Sequence, residues 1–596
     1  VLLTPRISKL KISKYFIILF LLFIISFIFL YLTNFYFKSN LGPIASSSSG
    51  IYSNPLNIVL TNFIPHSEIK YSLDNSKPNL SSPSYKNPFE INSSTVLRVQ
   101  AFRDKEPIGN EKIYSYIFHQ RNINLPIVNL IINNYDLYDK KKGIYTNPKK
   151  LSWYRNAKFE FYEKDSLSPA ISLDGEARIY GSRSRDFPRK SFYICFDNKN
   201  INYKIFTDNQ NLSYDCLIIR NSGNDFNHTF IRDSLIHNFA KENTNLYFQD
   251  SKHIILYLNN QYFGIYDLRE ANNPNTLSLK FGGDADDYAI LYQFDGNKGE
   301  VRKDAGTKTD INLFKELLEI VTKDTDNPEI ISRIEDLMDI DNYFEYQILQ
   351  TYFRNYDYIY QNFKIFRYNG FIKEPGTFRD GKLRWLLYDT DVSLGFSIRE
   401  KDIFYTLTGK AEKDGRTWSY VLYNNLMKSK YFREKFLIKY SDYLNSKLLS
   451  ENVNSYIDKY QTLIEPEVPY HIKRWENFIL GQGEKPEYEI PLKTKSEWDY
   501  NIHEMKDFVS SRRLNIYKEL DANFSLGGTY NLKIVNESPL NGYVRVNSLI
   551  INKDSWSGIY FNNLNISYEA IPLPGYKFVG WEVDTKFLKK PIFRKL

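Results

Sequence analysis

The first hydrophobic feature of the chain is a run with no polar alternation at all. Phe16 to Leu32 holds 17 residues, one of them serine and none charged. As a helix it extends about 26 Å, close to the hydrocarbon thickness of a bilayer. Tyr31, Phe35, Tyr36 and Phe37 stand at its far end, and Arg6, Lys9, Lys11 and Lys14 precede it. Only Lys38 follows before the first acid, Glu68. The positive-inside bias predicts a basic cytoplasmic tail over 1–15, a transmembrane anchor over 16–37, and everything beyond about residue 38 outside. A cleaved signal peptide is the competing reading, and it would leave the chain secreted. The run is longer than an ordinary signal core, and no A-x-A-like site closely follows it.

Beyond the run the pattern changes by region. Residues 38–50, with SNLGPIASSSSG, read as a flexible stalk. Over 51–120, the segments IKYSLD, TVLRVQAF and KIYSYIF alternate as short strands between turn-rich stretches, which predicts a β-sandwich accessory module. The large region 121–527 switches character midway. Its first part, about 121–300, carries the strands NLPIVNLII, AKFEFYE, EARIYGS, KSFYICF, DCLIIRN, HIILYLNN and YFGIYDLRE, with one amphipathic helix over Thr229–Lys241. Its second part, about 301–527, has helical periodicity over Ile311–Val321, Ile330–Phe353, Trp418–Leu449, Val453–Leu463 and Tyr500–Leu520. A β-rich lobe followed by a helical lobe predicts an α+β, bilobal domain with a cleft. Residues 528–596 return to β pattern, ending in Gly575-Tyr-Lys-Phe-Val-Gly-Trp581. Both flanking β modules read as spacers, with weak glycan contact by their aromatics as the sharper expectation.

Composition narrows the partners. The 596 residues are 42% apolar and 25% charged, the profile of a folded protein. Lys and Arg number 78 against 70 acids; five of the basic residues lie in 1–40, so the rest is near neutral and its charges are interspersed. No nucleic-acid footprint results. Two cysteines, Cys195 and Cys216, exclude a disulfide framework and a cysteine zinc site. They read most simply as two buried thiols, with a single disulfide as the alternative.

The chemistry concentrates in one order of residues. After the helix ending near Phe353 come Asp357 and, five positions on, Asn362. A strand over Phe363–Tyr368, a turn and a second strand over Leu383–Tyr388 lead into Asp389-Thr-Asp391. Protein kinases use the same order: an aspartate for the substrate hydroxyl, then an asparagine and an aspartate for metal ions bridging ATP phosphates. Hard divalent cations need oxygen ligands of this kind. Read blandly, the pair Asp389/Asp391 is a strand-end turn or a Ca²⁺ site. On the strand-rich side, Gly181-Ser-Arg-Ser-Arg-Asp-Phe-Pro-Arg-Lys190 joins two strands. Lys190 and the planar forks of Arg183 and Arg185 suit phosphate.

GSRSRDFPRKSFYICF, LIIRNSGNDFNHTFIRDSLIHNFA, YLNNQYFGIYDLRE, NYDYIYQNFKIF and RWLLYDTDVSLGF occur in this order. Together they resemble the spore-coat protein H (CotH) kinase family over about residues 125–520. Tyr71–Asn79, Tyr85, Pro88 and the strand Ser94–Phe102 resemble the chitobiase C-terminal-like (Fn3-associated) β-sandwich. The CotH resemblance implies a protein-kinase-like fold and an exported enzyme using ATP with Mg²⁺ or Mn²⁺ on hydroxyls of an envelope or surface protein. It implies Asp357 as catalytic aspartate, and Asn362 and Asp389 as metal ligands with Asp391 as substitute. It also implies Lys190 as phosphate lysine, with Arg183 and Arg185 assisting, and Tyr266–Glu270 as the strand into an adenine-facing hinge. Departures are the absent Gly-rich loop, the absent His-Arg before Asp357, and the lack of a clear acidic partner for Lys190, where Asp233 and Glu242 are candidates. These departures keep open a catalytically inactive surface scaffold or adhesin. A glycosidase is disfavoured, because Asp389 and Asp391 are too close in sequence to flank a sugar.

Overall fold

The computed structural model describes residues 42–119, 121–196, 201, 203–206, 213–293, 300–359, 362–396, 402–408, 418–477 and 491–582. The expected tail and anchor at 1–37 lie outside these residues. Among the described residues no helix is long and apolar enough to cross a membrane. The fold mixes helices with several small sheets. It divides into two compact units, Val1–Ile201 with His253–Tyr266, and Asn202–Lys252 with Asp267–Leu596.

The first unit opens with a β-sandwich. Gly50–Tyr52, Glu106–Phe118, Thr95–Arg103 and Glu68–Ser72 form one sheet in that order; Leu56–Ile58 pairs with Phe89–Ile91. Alternation along Thr95–Arg103 sends Leu97 and Val99 into a core with Ile58, Leu60, Ile69 and Tyr116. Its other face buries Arg98 and Gln100, which donate to the Asn75 amide oxygen and to the Ile108 carbonyl. Residues 42–50 are not a free stalk. Ile44–Ala45 pairs with Leu60–Thr61, Ser49 accepts from the Ser115 amide, and Tyr116 donates to the Ser47 carbonyl. The serines act as local hydrogen-bond partners rather than as solvated linker.

A second set of strands follows in the same unit. Ile127–Ile132, Arg155–Tyr162, Ile171–Tyr180 and Ser191–Cys195 pair antiparallel in sequence, and residues 255–258 of the strand Ser251–Leu258 add in parallel to the first. Ile127–Ile132 is buried at every position, as a strand covered on both faces must be. The sandwich is bolted to this set. Asn260, in a tight turn at positive φ, donates to the Thr95 carbonyl at 2.6 Å, and buried Asn129 donates to the Ser115 hydroxyl at 2.8 Å. Neither cysteine is free: Cys195 and Cys216 are both disulfide-bonded, so the expectation of buried thiols does not hold.

In the second unit, Cys216–Arg220 pairs antiparallel with residues 267–270 of the strand Gln261–Glu270, and the helix Arg232–Asn243 follows. Val301–Ala305, Tyr288–Gln293, Lys364–Tyr368 and Arg384–Leu386 make an antiparallel sheet in that order. Two expected long helices are each broken in two. Pro328–Leu337 and Ile340–Tyr352 are separated because the Asp339 carboxylate caps the Asn342 amide. Trp418–Lys428 and Lys430–Leu444 are separated because Ser429 caps the Phe432 amide. Ser450–Ile464, Val468–Trp475 and Lys495–Phe524 follow, and Pro274–Phe281, Lys308–Ile320 and Ile403–Leu407 are further helices of this unit. The C-terminal strands dock on this helical part through two buried side chains. Asp442 accepts from Asn547, Ser548 and Tyr560, and Asn445 exchanges two hydrogen bonds with the Ile559 backbone.

Candidate active site

The acidic residues expected to carry chemistry are gathered in the second unit. The helix Ile340–Tyr352 ends in a turn, and Asp357 opens a short 3-10 segment, Asp357–Ile359. Asn355 is fully buried and organises the turn around Asp357. Its amide donates to Gln350 Oε1 at 2.9 Å and to the Asp389 carbonyl at 3.4 Å, while its oxygen accepts from the Asp357 amide at 3.2 Å. Asn362 stands two residues before the next strand, Lys364–Tyr368, and donates to Asp357 Oδ2 at 3.2 Å. Asp357, Asn362 and Asp389 are therefore tied into one hydrogen-bonded set. Asn362 and Asp389 both hold left-handed backbone, φ +59° and +55°; Arg354 and Leu394 do the same nearby in the chain, as does Ser222 two residues after Arg220. Such strain collects at functional sites, where the surroundings over-determine it.

Asp389 and Asp391 differ sharply in their surroundings. Asp391 is 1% exposed and grasped on both oxygens: Oδ2 by Arg220 Nη2 at 2.6 Å and the Asn224 amide at 3.1 Å, Oδ1 by Asn224 Nδ2 at 3.0 Å. Gly223 makes this grip possible. It sits at φ +57°, and a Cβ there would fall 1.7 Å from Asp391 Oδ2. Asp389 accepts from the same Arg220 Nη2 at 2.5 Å and keeps 24% of its side chain exposed. Behind Arg220 lies Asp233 of the helix Arg232–Asn243. Its Oδ2 pairs with Arg269 and lies 3.6 Å from Arg220 Nε, and its Oδ1 accepts from the Thr390 amide at 2.6 Å and hydroxyl at 2.9 Å. Arg269 also holds Asp267.

Charge explains the electrostatics. Four carboxylates, of Asp233, Asp267, Asp389 and Asp391, share the two guanidiniums of Arg220 and Arg269. Burial opposes the charge on Asp233, yet Arg269 and Arg220 hold its carboxyl well below the usual range. Burial and then the neighbouring Asp389 push Asp391 well above it, despite Arg220. Asp389 and Asp391 thus lean on one shared guanidinium, and their mutual repulsion is what that cation offsets. Among the described residues no three Asp, Glu, His or Cys side chains are grouped as around a bound metal. The donors present are nonetheless hard oxygens on Asp389 and Asn362. They suit Mg²⁺ or Mn²⁺ completed by water and phosphate oxygens.

The remaining expected residues have these surroundings. Lys190 lies in the first unit, nearly buried; its ammonium donates to the carbonyls of Arg185 at 2.6 Å and Phe187 at 2.8 Å and stands over the Tyr145 ring. Burial lowers it to about 8. Arg183 and Arg185 form a 3-10 turn, and Arg185 Nε donates to the Ser182 carbonyl. Glu270 is fully buried in the second unit, paired with Lys280 at 2.6 Å and accepting from the Asp250 amide. Asp233, a candidate partner for Lys190, instead binds Arg269 and Thr390, and Glu242 accepts from Tyr456. Arg220, Asn224 and Asn355 are site residues that the motif order does not point to. The signal for the first two is the Arg-Asn-Ser-Gly-Asn-Asp turn, polar throughout yet set between a buried strand and a buried helix.

Two family models match this sequence. One, described as CotH kinase protein, covers residues 177–516, more than half of the chain; the other, described as Fn3 associated, covers 58–114. No curated protein matches it.

Proposed function

Since the chain belongs to the CotH kinase protein family, we propose that it is an atypical protein kinase, transferring the ATP γ-phosphoryl group to a Ser or Thr hydroxyl of an envelope or surface protein. The observation that carries this reading is the hydrogen-bonded set Asp357–Asn362–Asn355–Asp389. Asp357 takes the proton of the substrate hydroxyl as its oxygen bonds phosphorus and the bond to the ADP oxygen breaks. Asn362 keeps the Asp357 carboxylate turned for this, and Asp389, with Asn362, would hold the divalent cation. When bound, the cation and ATP supply the phosphoryl group and the charge neutralisation its transfer needs.

The kinase is exported and held by the apolar run at 16–37. Support comes from the basic residues ahead of that run and from the oxidised cysteines, a state kept outside the reducing cytoplasm. A catalytically inactive scaffold is the second reading, favoured by Lys190, whose ammonium is already held by two carbonyls.

Thermal unfolding with ATP and Mn²⁺, together with phosphoryl transfer to envelope extract, separates the two. Wild type gains melting temperature by mass action. Asp389→Ala loses that gain, while Asp357→Ala keeps it and loses transfer. No gain at millimolar nucleotide, or transfer undiminished in both variants, refutes the kinase reading.

A further inference from the structure

We propose that Arg220 is a built-in counter-cation that makes the Asp389 site poor at capturing a free divalent ion and receptive to one arriving with a nucleotide's phosphates; this rests on the kinase reading above. A single nitrogen, Nη2, bonds Asp389 Oδ1 at 2.5 Å and Asp391 Oδ2 at 2.6 Å. It thus stands between two carboxylates, the place a small cation seeks. The guanidinium cannot simply leave. Its side chain is 11% exposed, its Nε lies 3.6 Å from Asp233, and Asp233 is fixed in turn by Arg269 and Thr390. The loop beneath it is closed, since Gly223 has no room for a Cβ between Asp391 Oδ2 and Arg220 Nη2.

Any ion at Asp389 therefore binds close to an immobile positive charge. At an effective dielectric of about 20, a unit charge a few ångströms away changes the affinity of an ion by well over tenfold. Phosphate reverses the sign of this effect, because a guanidinium and a divalent cation are both satisfied by phosphate oxygens. Arg220 thereby couples cation binding to nucleotide binding, a coupling that must be reciprocal.

Free Mn²⁺ is titrated by electron paramagnetic resonance into the detergent-solubilised full chain, with and without a non-hydrolysable ATP analogue. Wild type is expected to bind Mn²⁺ alone at least about tenfold more weakly than with the analogue. Arg220→Gln is expected to bind Mn²⁺ alone about tenfold or more tightly than wild type, and Arg220→Lys, which keeps the charge, to stay near wild type. A folded Arg220→Gln, checked by circular dichroism, with unchanged or weaker Mn²⁺ affinity overturns the proposal. So does a wild type that binds Mn²⁺ equally well with and without the analogue, a comparison that stands even if Arg220→Gln does not fold. If wild type binds Mn²⁺ in neither condition, the kinase reading falls and this proposal with it. If it binds with the analogue but the difference is absent, only this proposal falls.

Discussion

Lys190 and Arg220 are both basic residues nearly buried at a strand end, and their surroundings could hardly differ more. The Lys190 ammonium donates only to neutral groups, two carbonyls from its own turn, and stands over an aromatic ring; the nearby Asp186 carboxylate only partly offsets its burial. Arg220 faces carboxylates that arrive from distant parts of the chain, Asp389 and Asp391 about 170 residues on. Burial accordingly lowers Lys190 to about 8, whereas the three neighbouring acids overcome burial and keep Arg220 well above its ordinary value. A buried cation held by carbonyl dipoles is one that can lose its proton; one held by acids cannot. Basic residue type on a strand therefore says little about role until the partners are known.

The largest way to break this comparison is Arg220→Ala. It leaves Asp389, Asp391 and Asp233 facing one another with a single guanidinium lost, a change that costs about 3–5 kcal/mol in other buried pairs. Urea unfolding at pH 7.5 measures it, and a loss below about 1 kcal/mol would mean that the acids are not held by charge.

Lys190→Met sharpens the other side. Two carbonyls lose their donor, for a cost of about 1–3 kcal/mol. Its pH dependence has a definite sign. The folded lysine releases its proton at about 8, below the ordinary 10.5 of the unfolded chain, so the unfolded state binds more protons between these values. Wild-type stability should rise from pH 8 to 10.5, by up to about 1.4 kcal/mol per pH unit, and the variant should lack that rise. A parallel pH profile for both proteins would show that Lys190 stays charged.

The smallest effect is Asn224→Ala. It removes the bond to Asp391 Oδ1 but not the backbone one to Oδ2, and should cost about 1 kcal/mol. Equal Mn²⁺–nucleotide affinity in this variant would confine Asn224 to holding Asp391 in place.

Much of the acidic set is legible in sequence because it is local. Asp357, Asn362, two strands and Asp389-x-Asp391 occupy one stretch, and hydrophobic alternation marks the strands between them. The partners of Arg220 are not legible, since nothing in Leu-Ile-Ile-Arg or in the polar turn after it says which carboxylates a fold will bring there. The helix breaks at Asp339 and Ser429 escape for another reason. Apolar periodicity runs on across each break, and only the capping hydrogen bonds reveal that the backbone restarts. The serine-rich stretch 42–50 misleads by composition: serine solvates a linker and also satisfies strand edges, and here it does the second.

That packed stretch sets a leash. If 16–37 spans the bilayer, only residues 38–41 separate the lipid from the first strand-bearing segment. Fully extended, four residues reach at most about 14 Å. The β-sandwich then rides against the leaflet rather than swinging on a long tether. On that arrangement a target presented at the membrane face would meet the sandwich more readily than one far from the lipid.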